Sequence, residues 1–227
     1  MDNDIEFLED GNTLLAWKDL LTMKVVYQKA YISTIFSENF CNEIINNCEL
    51  VAHNNLNNEN IDKRLINSEG WINSCTYGGK YIINIGKLNQ NIQSKINNYI
   101  EKLYHDCSAI YNLNPKRIKL KFADIIKYTC NIKDSQVKLS EHADGGQITF
   151  NIQLNKKIEY SGGGIKFSKP FQKNNTFRLN QGEFICHAAK QKHQALEITK
   201  GIRYVLTIFT HVENTVFPDN LNDCQTQ

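Results

Sequence analysis

Along residues 147–155 polar and apolar side chains alternate without a break. Ile148, Phe150, Ile152 and Leu154 fall on one face of an extended strand, and Gln147, Thr149, Asn151, Gln153 and Asn155 on the other. For that strand taken alone, a polar face turned to water is the simpler account. Through the rest of the second half, short β-prone runs follow one another: RIKLKFADIIKYT, QVKLS, GGIKFS, TFRL, GEFICHA, HQALEIT and RYVLTIFTHV. Gly, Asn, Lys or Pro separates them at close intervals, a pattern that predicts a sandwich or barrel.

The first half reads differently. Residues 1–22 are acidic and predict an irregular arm with one short helix; residues 24–34 predict a strand. Ser37 is placed to cap a helix on which Phe40, Ile44, Ile45 and Cys48 share a face. The polar stretch VAHNNLNNENIDKR at 51–64 predicts a loop. A second helix is expected near 88–110, where Ile92, Ile96, Tyr99, Ile100 and Leu103 recur at helical spacing and Pro115 follows soon after. No stretch has the composition of a linker. The expected fold class is therefore α+β, mainly β, in one domain over 1–227: an arm and supporting helices at 1–113, a β core at 114–212 and a tail at 213–227.

Composition narrows the classes. With 227 residues, 41% of them hydrophobic, the chain is long enough for a sizeable core. A formal net charge of +2 gives no electrostatic footprint for nucleic acid or a membrane surface. The opening MDNDIEFLEDGN lacks the apolar centre of a secretory signal, and no apolar run approaches the length of a membrane span. The seven cysteines (Cys41, Cys48, Cys75, Cys107, Cys130, Cys186 and Cys224) are odd in number and show no C-x-x-C spacing. That suits reduced structural thiols in a cytoplasmic-type compartment.

Candidate chemistry sits just ahead of the alternating strand. His142 and Asp144 are two apart, so in an extended segment both side chains project to one side. Imidazole and carboxylate suit a non-haem ferrous ion, for which two histidines and one carboxylate form a facial set with open positions. An isolated H-x-D arises by chance in many chains, so a third ligand is required. His187, His193 and His211 lie downstream, His53 and His105 upstream. Only His193 is followed ten residues later by a basic residue in strand context, Arg203, with Gly201 before it. An arginine there suits a buried carboxylate, because its planar fork donates parallel hydrogen bonds and stays charged.

In this order the motifs resemble the Fe(II)- and 2-oxoglutarate-dependent dioxygenases, and within them the catalytic domain of the procollagen lysyl hydroxylases, relatives of the prolyl 4-hydroxylases. The matching elements are HAD at 142–144, T-x-N at 149–151, LN at 154–155, YSGGG at 160–164, Phe167, Gly182, His187, His193 and GIRY at 201–204, with IIKY at 125–128 upstream. The resemblance covers about residues 118–212 and, thinly, the two helices before them. It departs at GGQ, 145–147, and in a shortened loop between His187 and His193.

The resemblance implies a double-stranded β-helix, or jelly-roll, whose interior the polar face of the alternating strand would line. It implies Fe(II) held by His142, Asp144 and His193, and the distal carboxylate of 2-oxoglutarate paired with Arg203. Tyr128 and Asn151 would support that pocket. The implied reaction is hydroxylation of a peptidyl side chain, lysine before proline, with 2-oxoglutarate and oxygen converted to succinate and carbon dioxide and ascorbate supporting activity. A nucleic-acid or small-molecule oxygenase and a non-catalytic metal-binding jelly-roll are the alternatives. A peptide or protein substrate, a possible homodimer and no membrane are the partners expected. Heavy use of Asn, Ile and Lys fits a viral or microbial source with an AT-rich genome.

Among the remaining residues, His187 is expected to be structural and His211 to lie at the surface. The glycines at 162–164 read as a tight β connection, since no phosphate-loop lysine follows. Lys116, Arg117, Lys119 and Lys121 read as the solvated face of a strand.

Overall fold

The computed structural model describes residues 5–7, 13–15, 24–27, 30–74, 80–111, 113–130, 136–168 and 175–213. In chain order the strands begin with β1 (Ile5–Phe7), β2 (Thr13–Leu15), β3 (Lys24–Tyr27) and β4 (Ala30–Thr34). Helix α1 (Glu38–Asn57) follows, then β5 (Ile72–Ser74), β6 (Lys80–Asn84) and helix α2 (Gln90–Ile110). The second half holds β7 (Ile118–Thr129), β8 (Leu139–His142), β9 (Ile148–Gln153), β10 (Tyr160–Gly162) and β11 (Ile165–Phe167). It continues through β12 (Thr176–Phe177), β13 (Glu183–Ala188) and β14 (His193–Ala195) to β15 (Ile198–Val212).

These strands make a large sheet in the order β3-β4-β13-β9-β15-β7-β6-β5, with β10 attached to β15, and a small sheet in the order β12-β11-β14-β8. Each ladder is antiparallel; among the described residues β1 and β2 pair with each other alone. The two sheets form the expected jelly-roll, and the helices cover one face of the large sheet. Ile148, Phe150, Ile152 and Leu154 join Ile96, Ile100 and Leu103 in that helix-facing core. The alternation in β9 therefore turns its apolar face to the helices and its polar face inward, between the sheets.

Each helix follows from its own residues. The Ser37 hydroxyl accepts from Phe40 N at 3.2 Å and caps α1, whose Phe40, Ile44, Cys48 and Ala52 form the buried stripe. Asn89 caps α2 in the same way through Ile92 N, 2.9 Å.

Three expectations are corrected. Residues 51–57 continue α1 instead of opening a loop, because fully buried Ala52 extends the stripe by one more turn. Lys63 Nζ closes that end by donating to the carbonyls of Asn55, Leu56 and Asn58 at 3.0, 2.6 and 3.0 Å. Residues 24–34 form two antiparallel strands, β3 and β4, in place of one. And the first half supplies β3 to β6 to the large sheet, so it builds the sheet as well as bracing it. Within 1–22 the described residues pair as β1 and β2; the short helix expected there, the tail at 214–227, Cys75 and Cys224 lie outside the described residues.

The glycines at 162–164 make the tight connection expected of them, with φ of 73°, 66° and 116°, where only glycine is unstrained.

Candidate metal centre and adjoining pocket

His142 ends β8 and His193 begins β14, and the two residues stand opposite each other in the ladder of the small sheet. Asp144 follows β8 in a loop stitched to both neighbours. Its own N–H donates to Ala189 O at 2.8 Å, and three residues on, Gln147 N donates to Thr210 O at 2.8 Å. Gly146 makes that docking possible: a Cβ there would lie 2.6 Å from Thr210 O, whereas one at Gly145 would meet nothing nearer than Lys121 Nζ at 3.8 Å.

The result is a three-residue cluster. His142 Nε2 lies 3.4 Å from Asp144 Oδ1 and His193 Nε2 lies 3.6 Å from Oδ2. The ligand-type atoms of all three fall within 4.8 Å of one another.

The hydrogen bonds around the cluster prepare it for a cation. His142 Nδ1 faces Ser140 O and His193 Nδ1 faces Gln191 O, both at 2.8 Å. A carbonyl only accepts, so each Nδ1 carries a hydrogen, and in the neutral ring Nε2 then has its lone pair free for the centre. Burial, joined by His187, lowers the His193 imidazole to about 3, which keeps it neutral at physiological pH. Burial alone would raise Asp144, but its polar neighbours, among them the Thr149 hydroxyl that donates to it, outweigh that effect. The carboxyl is held well below the usual range. Thr149 Oγ1 donates to Asp144 Oδ2 at 2.7 Å and fixes its orientation. Two imidazole nitrogens and one carboxylate oxygen fit a divalent ion such as Fe(II).

Arg203 lines the same pocket from the large sheet. Its side chain leaves β15 on the inner face, directly across from Tyr128 on β7, and its guanidinium carbon lies 5.5 Å from the centre of that ring. Nε donates to Gln153 Oε1 at 3.0 Å, and among the described residues no carboxylate pairs with this buried guanidinium. A buried charge left without a counter-ion is costly, so the pocket is built for an anion that comes from outside. Burial raises the Tyr128 hydroxyl to about 12 against the pull of Arg203, so it stays protonated and able to donate. Asn151 also lines the pocket, held by Thr207 Oγ1 at 3.1 Å and by His187 Nε2 at 3.3 Å.

All six residues singled out by sequence thus meet around one space. His187 is fully buried beside His193, its ring centre 4.6 Å away, and stays outside the ligand cluster. His211 is exposed. Thr149, Gln153 and Thr207 were given no role from sequence, although the inward alternation of β9 already places the first two on the Asn151 face.

No family model matches the chain. Over 187 residues, 80% of the chain, it is 27% identical to a procollagen lysyl hydroxylase and glycosyltransferase of Acanthamoeba polyphaga mimivirus. Over 184 residues it is 27% identical to procollagen-lysine,2-oxoglutarate 5-dioxygenase 1 of Bos taurus. The matches span 19% and 23% of those two proteins, so the chain corresponds to about a fifth of their length. Among solved structures, a prolyl-4-hydroxylase from Pseudomonas putida superposes with a TM-score of 0.56 over 86% of this chain and 96% of that one, at 11% identity. The resemblance to the 2-oxoglutarate- and Fe(II)-dependent oxygenases therefore extends from sequence to fold and to the two-histidine, one-carboxylate cluster.

Proposed function

We propose that this chain is an Fe(II)- and 2-oxoglutarate-dependent dioxygenase that hydroxylates a peptidyl side chain, lysine in the first place. The observation that carries the reading is one pocket with two ends: His142, Asp144 and His193 at one, and a buried arginine without a carboxylate partner at the other. Lysine is favoured because both relatives are named for lysyl hydroxylation and match across most of the chain.

His142 Nε2, Asp144 and His193 Nε2 would hold Fe(II), which when bound supplies oxygen activation coupled to decarboxylation of 2-oxoglutarate. The chain's own residues do the rest. Arg203 and Tyr128 receive the distal carboxylate, and Gln153 sets the plane of the guanidinium by accepting from Nε. Thr149 holds Asp144, while Asn151, fixed by His187 and Thr207, lines the wall between the two ends. The apolar neighbours Ile126, Val205 and Phe209 keep that wall dry.

The test supplies 2-oxoglutarate, Fe(II) and ascorbate with lysine- and proline-bearing peptides, and follows succinate together with the gain of one oxygen located by fragmentation. Oxygen on lysine is the expected outcome. Oxygen on proline alone would move the substrate assignment to the prolyl type, and succinate no higher with peptide than without it would overturn the protein-hydroxylase reading. His142→Ala is expected to abolish iron-dependent succinate formation; turnover at the wild-type rate would remove the ligand assignment.

A further inference from the structure

One buried hydroxyl between the sheets has no task in the scheme above. Tyr160 opens β10, is 4% exposed, and its Oη is buried with no hydrogen-bond partner among the described residues. Such a group costs about 1–3 kcal/mol of lost solvation, and native chains leave few of them uncompensated. Tyr160 stands opposite Gly201 in the β10–β15 ladder, so its side chain leaves on the face of Gly201 and, two residues on, of Arg203. Gly163 shows how near the two side chains come: a Cβ there would lie 3.0 Å from Tyr160 Cε2 and 3.3 Å from Arg203 Cδ. The ring packs in the same cluster as Ile126, Tyr128 and Val205, which line the pocket. The Arg178 guanidinium covers the ring, 5.2 Å from its centre, and holds it in place.

We propose that Tyr160 Oη is a third donor, beside Arg203 and Tyr128, to the distal carboxylate of the 2-oxo diacid co-substrate. The assignment rests on the reading of Arg203 given under the proposed function. A carboxylate offers about four acceptor sites, more than one guanidinium fork fills, so a hydroxyl has a place beside it. Among the described residues no hydrogen bond has to break before Oη turns to the ligand, which makes the donor preorganised. Gly163 sets the approach, because any side chain at that position would part the ring from the arginine stem.

Tyr160→Phe keeps the ring and its packing under Arg178 and removes only Oη. Binding of 2-oxoglutarate is measured by calorimetric titration of Mn(II)-loaded protein without oxygen. Binding of 2-oxobutanoate, which has the same metal-facing end and no distal carboxylate, is measured alongside. The variant is expected to bind 2-oxoglutarate about tenfold more weakly, with 2-oxobutanoate and Mn(II) affinities unchanged. Without ligand, its melting temperature should equal or exceed that of the wild type, since an unsatisfied hydroxyl has been deleted. Equal 2-oxoglutarate affinity in the two proteins would overturn the proposal, and so would a loss shared by 2-oxobutanoate, which marks a packing effect. Arg203→Met separates the two levels. If it weakens 2-oxoglutarate binding while Tyr160→Phe does not, the Tyr160 assignment alone falls. If the wild type itself fails to bind 2-oxoglutarate, the reading of the pocket falls with it.

Discussion

Replacing Thr149 with valine exchanges one hydroxyl for a methyl of similar size. In the wild type that hydroxyl donates a 2.7 Å bond to Asp144 Oδ2, and both residues are buried. A hydrogen bond to an ionised acceptor contributes about 1.5–3 kcal/mol. The valine methyl supplies no donor and leaves no room for a water to act as one. The carboxylate then has no donor to hold Oδ2 in place, and it loses the orientation in which Oδ1 faces His142 and Oδ2 faces His193. Since about 1.4 kcal/mol is a factor of ten in a binding constant, divalent metal affinity should fall about ten- to a hundredfold, the range typical of groups that orient metal ligands. Competition of Mn(II) or Co(II) against a fluorescent chelator reads this directly, with circular dichroism to show that the fold is retained. Thr149→Ser restores the donor and should recover most of the loss. Wild-type affinity in Thr149→Val, or no recovery in Thr149→Ser, would refute the role of this hydroxyl.

Two further perturbations test the frame around the site. Gly146→Ala should weaken metal binding and lower stability by about 1–3 kcal/mol, because its Cβ meets Thr210 O, whereas Gly145→Ala should be nearly silent in the same thermal and metal titrations. On the helix side, Lys127 (side chain 3% exposed) pairs with Glu49 at 3.0 Å and Glu69 at 2.7 Å, which keep 39% and 33% of their side-chain surface. Urea denaturation should therefore show the Glu49→Gln, Glu69→Gln double variant losing more stability than Lys127→Met. The first strands a buried ammonium, at a cost of about 3–5 kcal/mol, and the second leaves carboxylates that water still reaches.

How much of this was legible in the sequence depended on whether the deciding neighbour was near in the chain. The strands of the second half carry their own alternation and punctuation, and each run named from sequence overlaps a strand. The helix caps at Ser37 and Asn89 are local, and the first was readable from the stripe that follows it. The extension of α1 through Val51–Asn57 was not, because asparagines favour loops and the burial of Ala52 depends on a sheet built from residues far away. The polar face of β9 posed the same difficulty more sharply. Nothing within 147–155 distinguishes water from a polar interior; the choice is made by Arg203, 50 residues beyond Gln153, whose Nε takes up that side chain. His142, Asp144, His193 and Arg203 were found because a motif with fixed spacing stands in for that missing geometry. Tyr160 and Gln153 escaped because their roles are visible only as one unpaired atom and one paired atom.

The pocket's two ends belong to different sheets. His142 and His193 stand on the small sheet, whereas Arg203 and Tyr128 stand on the large one, and Asp144 bridges them from the loop after β8. Packed sheets keep a spacing of about 10 Å fixed by the side chains between them. If the metal seat and the carboxylate seat are used as proposed, that spacing acts as a gauge of ligand length. A 2-oxo diacid shortened or lengthened by one methylene would satisfy one seat at the expense of the other. Co-substrate length would then be enforced by the packing between the sheets, from Ile126, Ile165 and Val205, which line the pocket, to Phe167, which stands behind that lining.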